Sequence, residues 1–215
     1  MGALSDSQML YRLGLTGFCG AIMGADDPNR LEVVPFHQFT KIEGHPSFGL
    51  GSYGIDLQAG YNWKYLDKHK LAAMGIPYVR PGMKNLPWVT VEGDPSQPSA
   101  GQLIIVPPRS AILCETLQRV YIPRDCWGLV AGKSTWARLF IDLNTTPLEP
   151  TWRGVITLEV TNNSDVAVAI EPGEGICQMV LIRGDQPERF PLLTGYADRD
   201  SPTYQNQAGV CEAKV

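Results

Sequence analysis

Apolar and polar positions alternate most clearly between residues 102 and 182. In GVITLEVTN (154–162), Ile156, Leu158 and Val160 fall on one face of a strand. Val155, Thr157, Glu159 and Thr161 fall on the other, because strand side chains point to opposite sides in turn. The pattern predicts further strands at QLIIV (102–106), SAILCETL (110–117), CWGLVAG (126–132), VAVAI (166–170) and ICQMVLI (176–182). Turn formers separate them: Pro107-Pro108, YIPRD (121–125), NNSD (162–165) and EPGEG (171–175). Upstream, a short helix is expected over 7–15 and one glycine-bounded strand over 49–60. STWARLFI (134–141) reads as one short helix or an irregular segment. Residues 61–100 name no element, although 92–101 is rich in turn formers and reads as a loop. The tail beyond Arg183 is polar and turn-rich. Several short strands at this spacing predict a mainly β fold, a barrel or sandwich with short helices.

Composition agrees. The 22 Gly and 17 Pro suit strands joined by tight turns, and 44% hydrophobic residues against 19% charged ones suit a sizeable core. A length of 215 residues fits a single domain over 1–215, with its motif-bearing core at about 102–209. The net charge of −4 offers no basic field for nucleic acid. A small polyanion is still open, since a few local cations suffice. The five cysteines form no C-x-x-C pair, which argues against a disulfide scaffold and a cysteine-rich zinc site. No apolar run is long enough to span a membrane and no signal peptide is evident. The opening MGALSD carries Asp6 where a myristoylation signal wants Ser or Thr. A cytoplasmic protein with reduced thiols is expected.

Two groups of residues offer chemistry. Glu159 is the only charge in its strand. It is either a solvated residue on a wet sheet face or a general acid/base held on a rigid element. AGKSTWARL gathers Lys133, Ser134, Thr135 and Arg138, which form either a set of donors suited to phosphate oxygens or simply a polar surface loop. It is not a P-loop, because Trp127 stands where that motif needs its first glycine.

In order along the chain, GSYGIDL, G-K-S-T-W-A-R, T-P-L-E-P-T-W-R-G, T-L-E-V-T-N, EPGEGICQMVL and TYQNQAG together resemble the dCTP deaminases of the dUTPase-like superfamily. The resemblance implies a distorted jelly-roll or β-barrel and a homotrimer with sites between subunits. It implies hydrolysis of dCTP to dUTP and ammonia, with dTTP as a feedback inhibitor. It places Glu159 as the general acid/base, with Ser134 and Arg138 as its partners from a neighbouring subunit. Thr146 and Pro147 would hold the base and the water, and Glu149 would contact the deoxyribose beside Trp152. Lys133, Ser134, Thr135, Tyr196 and Gln207 would make nucleotide contacts, and Tyr204 belongs to the tail motif. Zinc deaminases carry H-x-E with P-C-x-x-C. His37, His45 and His69 begin no such pattern, so no zinc is expected. Magnesium would arrive on the nucleotide phosphates.

Thr203 departs from the resemblance, standing where a phosphate-binding lysine is common; Arg199 is one candidate substitute. Two other readings are kept. A dUTP pyrophosphatase, or a bifunctional enzyme, could use Glu149 and Glu159 for two steps. Against it, dUTPases carry an aspartate where Glu149 stands, and a glycine-rich arm that TYQNQAGVCEAKV lacks. A non-catalytic nucleotide-binding regulatory trimer is the other; retention of Glu159, Ser134 and Arg138 speaks against it.

Overall fold

In the computed structural model, which describes residues 2–16, 23–96, 102–184 and 204–212, the strand of clearest alternation is β10 (Arg153–Asn162). Its Ile156, Leu158 and Val160 are buried and Glu159 is exposed, as the period of two requires. β10 pairs antiparallel with β7 (Ser110–Tyr121) on one side and β9 (Ile141–Asn144) on the other. β7 also carries β2 (Glu32–Val34) and meets β4 (Ile55–Leu66). β4 passes from β12 (Gly175–Arg183) at its start to β7 and β5 (Trp88–Val91) at its end. β12 continues to β8 (Cys126–Gly132) and β1 (Gly2–Ala3). The result is a mainly β, curled ten-stranded sheet, with β6 (Ile104–Val106) and β11 (Val168–Ile170) forming a second small sheet. Leu57, Leu158, Ile176, Met179 and Leu181 are wholly buried inside the curl. No helix among the described residues is long and apolar enough to cross a membrane.

Several expectations change in detail. The single strand over 49–60 is two strands: β3 (Gly49–Leu50) and β4, joined by a turn in which Gly51 N–H donates to Gly54 O at 2.8 Å. Gly49 is forced at φ +96, where an added Cβ would stand 2.1 Å from Gln38 O. SAILCETL is only part of β7, which runs on to Tyr121. The stretch 134–141 is one turn of helix, α3 (Ser134–Ala137), followed by a residue in the left-handed region, Phe140 at φ +60, and the start of β9. Within 61–100 lie the second half of β4, α2 (Lys68–Ala73) and β5.

The first helix, α1 (Asp6–Arg12), starts in a capping box between Ser5 and Gln8, and Gly14 at φ +70 closes it. Its last residue, Arg12, forks onto buried Asp125 at 2.6 and 2.7 Å, tying the helix to the turn before β8. Burial pushes the Asp125 carboxyl up, but the Arg12 hydrogen bonds and charge outweigh it and hold the group below its ordinary pKa.

Candidate active site

The exposed face of β10 forms the floor of an open pocket of about 620 Å³. Thr157 and Glu159 come from β10 itself, and Leu113 from the neighbouring strand β7. Pairing places Glu159 opposite Leu113 and Thr157 opposite Glu115, so these side chains share one face. A second wall is the loop 145–149 with Trp152. It is anchored where Leu148 and Gly128 exchange two backbone hydrogen bonds of 2.8 Å. Gly128 permits this approach, since an added Cβ would lie 3.2 Å from Leu148 Cβ. Thr145 also lines the pocket, its hydroxyl donating to Val130 O at 3.2 Å.

A third wall is the segment 204–212, which folds back over β10. Asn206 N–H donates to Arg153 O at 2.7 Å, and Val155 N–H donates to Gln207 O at 3.0 Å. Gln205 accepts from Arg153 N–H at 3.0 Å and donates to Thr151 O at 3.1 Å. The segment lies so close at Gly154 that an added Cβ would stand 2.8 Å from the Gln207 nitrogen. Thr157 links floor and wall: its hydroxyl donates to Gln207 Oε1 at 3.2 Å and accepts from Cys211 N–H at 3.1 Å. Tyr204, Gln207, Cys211 and Glu212 all face the pocket.

Glu159 is exposed, yet the surrounding walls desolvate its carboxyl and raise its pKa above the ordinary value. A shift in that direction moves a glutamate toward the range in which a carboxyl both takes and returns a proton. Of the residues singled out by sequence, Glu159, Thr146, Pro147, Glu149, Trp152, Tyr204 and Gln207 meet here.

Others do not. Trp136 is buried and donates from Nε1 to Gly175 O at 2.9 Å, which fixes α3 and turns Ser134 and Arg138 outward. Arg138 Nη1 donates to Ser134 Oγ at 3.3 Å, one helical turn away, and neither residue lines the pocket. Thr135 is exposed on the same turn. Lys133 is already occupied: its ammonium donates to Ser47 O at 2.8 Å, to Ser47 Oγ at 3.1 Å and to the Asp56 carboxylate. Tyr196, Arg199 and Thr203 lie outside the described residues.

Sequence reasoning missed Trp88, Leu113, Thr145, Leu148, Ile156, Thr157, Cys211 and Glu212 in the lining. Thr157 was available from its period-two relation to Glu159. Leu113 needed the β7–β10 register, and Trp88 comes from a stretch with no readable period. Among the described residues, the His and carboxylate side chains close enough to share a metal ion are His45, Glu171 and Glu174. None of the three lines the pocket, and His45 Nδ1 lies within hydrogen-bond distance, 2.9 Å, of Glu174 Oε1.

Comparison with known proteins gives a consistent result. A family model described as dCTP deaminase-like matches residues 36–184. A dCTP deaminase of Acidobacterium capsulatum is 34% identical over 183 residues, covering 85% of this chain and 91% of the relative. One from Acidiphilium cryptum is 36% identical over 178 residues, covering 83% and 88%. Among solved structures, the 2'-deoxycytidine 5'-triphosphate deaminase of Agrobacterium tumefaciens superposes with a TM-score of 0.52 at 13% identity. That match covers 85% of this chain and 48% of the solved one, and it speaks for the fold alone.

Proposed function

The chain belongs to the dCTP deaminase-like family, and on that premise we propose that its pocket hydrolyses dCTP to dUTP and ammonia with Glu159 as the general acid/base. The observation that carries this is the placing of Glu159, a desolvated carboxyl on a rigid strand at the floor of a pocket walled by the family's own motifs. Water adds to C4 of the cytosine. As the C4–O bond forms, the Glu159 carboxylate takes a proton from the water and passes it on to N3, which leaves the carboxylate free again. Glu159 then relays the remaining hydroxyl proton to the exocyclic nitrogen. The C4–N bond breaks with its electron pair going to ammonia, and the C4 carbonyl forms. No step calls for a zinc-bound water, in keeping with the missing H-x-E and P-C-x-x-C ligands in the sequence. Magnesium enters as part of the nucleotide.

The backbone of Thr146 and Pro147 would hold base and water, Glu149 the deoxyribose beside Trp152, and Tyr204, Gln207 and Tyr196 the rest of the nucleotide. The reading takes 1–215 as one domain, in keeping with lining residues that run from Trp88 to Glu212. It also needs a second chain. Ser134, Thr135 and Arg138 point away from their own pocket, beside Leu139 and Phe140, whose apolar side chains are exposed. A homotrimer that covers Leu139 and Phe140 would deliver Ser134 and Arg138 to the Glu159 of a neighbour. dTTP presents the same sugar and phosphates with no amino group to lose, so it would occupy the pocket as an inhibitor.

Glu159→Gln keeps the shape and removes the proton relay. Ammonia release from dCTP should fall about 10²–10⁴-fold while nucleotide binding persists. A variant that keeps most of the wild-type rate removes Glu159 from the mechanism. Glu149 and Glu159 line the same pocket, so pyrophosphate is assayed in the same reaction. Its release alongside ammonia would identify a bifunctional enzyme.

A further inference from the structure

The pocket that is to take a triphosphate is lined by three carboxylates, Glu149, Glu159 and Glu212, and among the described residues by neither Lys nor Arg. Cations near it are mostly engaged elsewhere. Lys133 is held by Asp56 and Ser47. Arg153 pairs with Glu32 at 3.2 Å and stacks on the Tyr121 ring at 4.7 Å. Arg119 supports the backbone of the 204–212 segment, donating to Gln207 O at 3.4 Å and to Asn206 Oδ1 at 3.2 Å.

Lys64 differs. Its ammonium pairs at 3.1 Å with Glu212, which is itself part of the pocket wall. The pair is partly open to solvent, with 20% and 40% of the two side chains exposed. The sheet register sets Lys64 opposite Leu113, and Leu113 opposite Glu159. The three therefore stand in one row on one face, and Lys64 is two strand spacings, about 10 Å, from Glu159. That is of the order of the separation between a nucleotide's base and its phosphates.

Resting on the deaminase reading of this pocket, we propose that Lys64 receives the phosphates of the substrate and that Glu212 is their placeholder. In the free protein Glu212 neutralises Lys64 across the pocket edge. An arriving phosphate chain carries more charge than one carboxylate and takes its place on the ammonium. An ion pair that is partly open to solvent is weak enough to be exchanged in this way. Lys64 would thus supply the contact that Thr203 does not.

Equilibrium binding of magnesium dCTP, measured calorimetrically with every chain carrying Glu159→Gln so that the nucleotide is bound and not consumed, tests this without depending on turnover. Lys64→Gln should weaken binding about ten- to a hundredfold, the loss of one charge-assisted contact, and should flatten its dependence on salt. Glu212→Gln should tighten binding, because the ammonium no longer has to be won from a carboxylate. Opposite signs are the mark of a placeholder. If the pair only fastens the 204–212 segment, both variants weaken binding alike and the charge swap Lys64→Glu with Glu212→Lys restores it; that result overturns the proposal. Should Lys64→Gln fail to fold, Glu212→Gln alone decides by its sign. These responses together with a wild type that releases no ammonia would overturn the deaminase reading and leave Lys64 as a phosphate ligand.

Discussion

Two influences bear on a carboxyl placed as Glu159 is: desolvation raises its pKa, and a nearby cation such as Arg138 would lower it. Within one chain only the first operates, since Arg138 faces outward and the pocket walls raise the carboxyl. The carboxylate must be ionised to take a proton from water, so the rate is lost as pH falls through its pKa. The acid limb of kcat/KM for dCTP should therefore lie above the ordinary glutamate value of about 4.3. A pH-rate profile with its limb at or below that value would mean that a neighbour's cation outweighs the walls. The same residue shows what sequence reasoning can reach. The period-two pattern put Glu159 on the open face, and the resemblance gave it a role. No local pattern could give it Leu113 or Trp88 as neighbours, because those contacts are made by strand pairing across long stretches of chain.

At the scale of elements, β10 and the 204–212 segment form one device. Their closeness is set by Gly154, where any side chain would strike Gln207. Gly154→Ala should displace the segment, with a cost of roughly 1–3 kcal/mol typical of overpacking. Circular dichroism should still report the β core, kcat/KM should fall at least about tenfold, and limited proteolysis should cut the segment sooner. A variant with unchanged kinetics would show that this wall is not needed. The strands with one wet face, β10 above all, were legible because their burial alternates. β4 was legible only in part: its first half fell within the strand expected over 49–60, but those six residues are buried without alternation and the tight turn after β3 was concealed by a run of glycines. The one-turn helix α3 was legible only as an ambiguity, being too short to show a period.

For the whole molecule, Ser134 and Arg138 face outward and line no part of the pocket, so the proposed catalytic set would be incomplete in a single chain. Mixed assemblies test this. Arg138→Ala and Glu159→Gln chains, each nearly inactive alone, should regain part of the wild-type rate when refolded together, since some sites then receive both intact residues. Sedimentation should show a trimer. An active monomer, or no rescue after proven exchange of subunits, would contradict the shared site.

The pairing of β1 with β12 has a consequence in time. Gly2 and Ala3 lie against Arg183 and Ile182, and Leu4 N–H donates to Leu181 O at 2.8 Å, so this edge joins partners separated by most of the chain. The entropy of closing so long a loop grows only slowly with its length, and the cost to stability is modest. The cost to speed is larger, because contacts this remote in sequence place a chain among the slow folders, on the order of milliseconds to seconds. Until that edge closes, the flank of β12 where β1 belongs presents unpaired N–H and C=O groups to any passing strand, including the same strand of another copy. The residues that complete the sheet are thus also its guard, and until they dock that short edge stays open to such pairing.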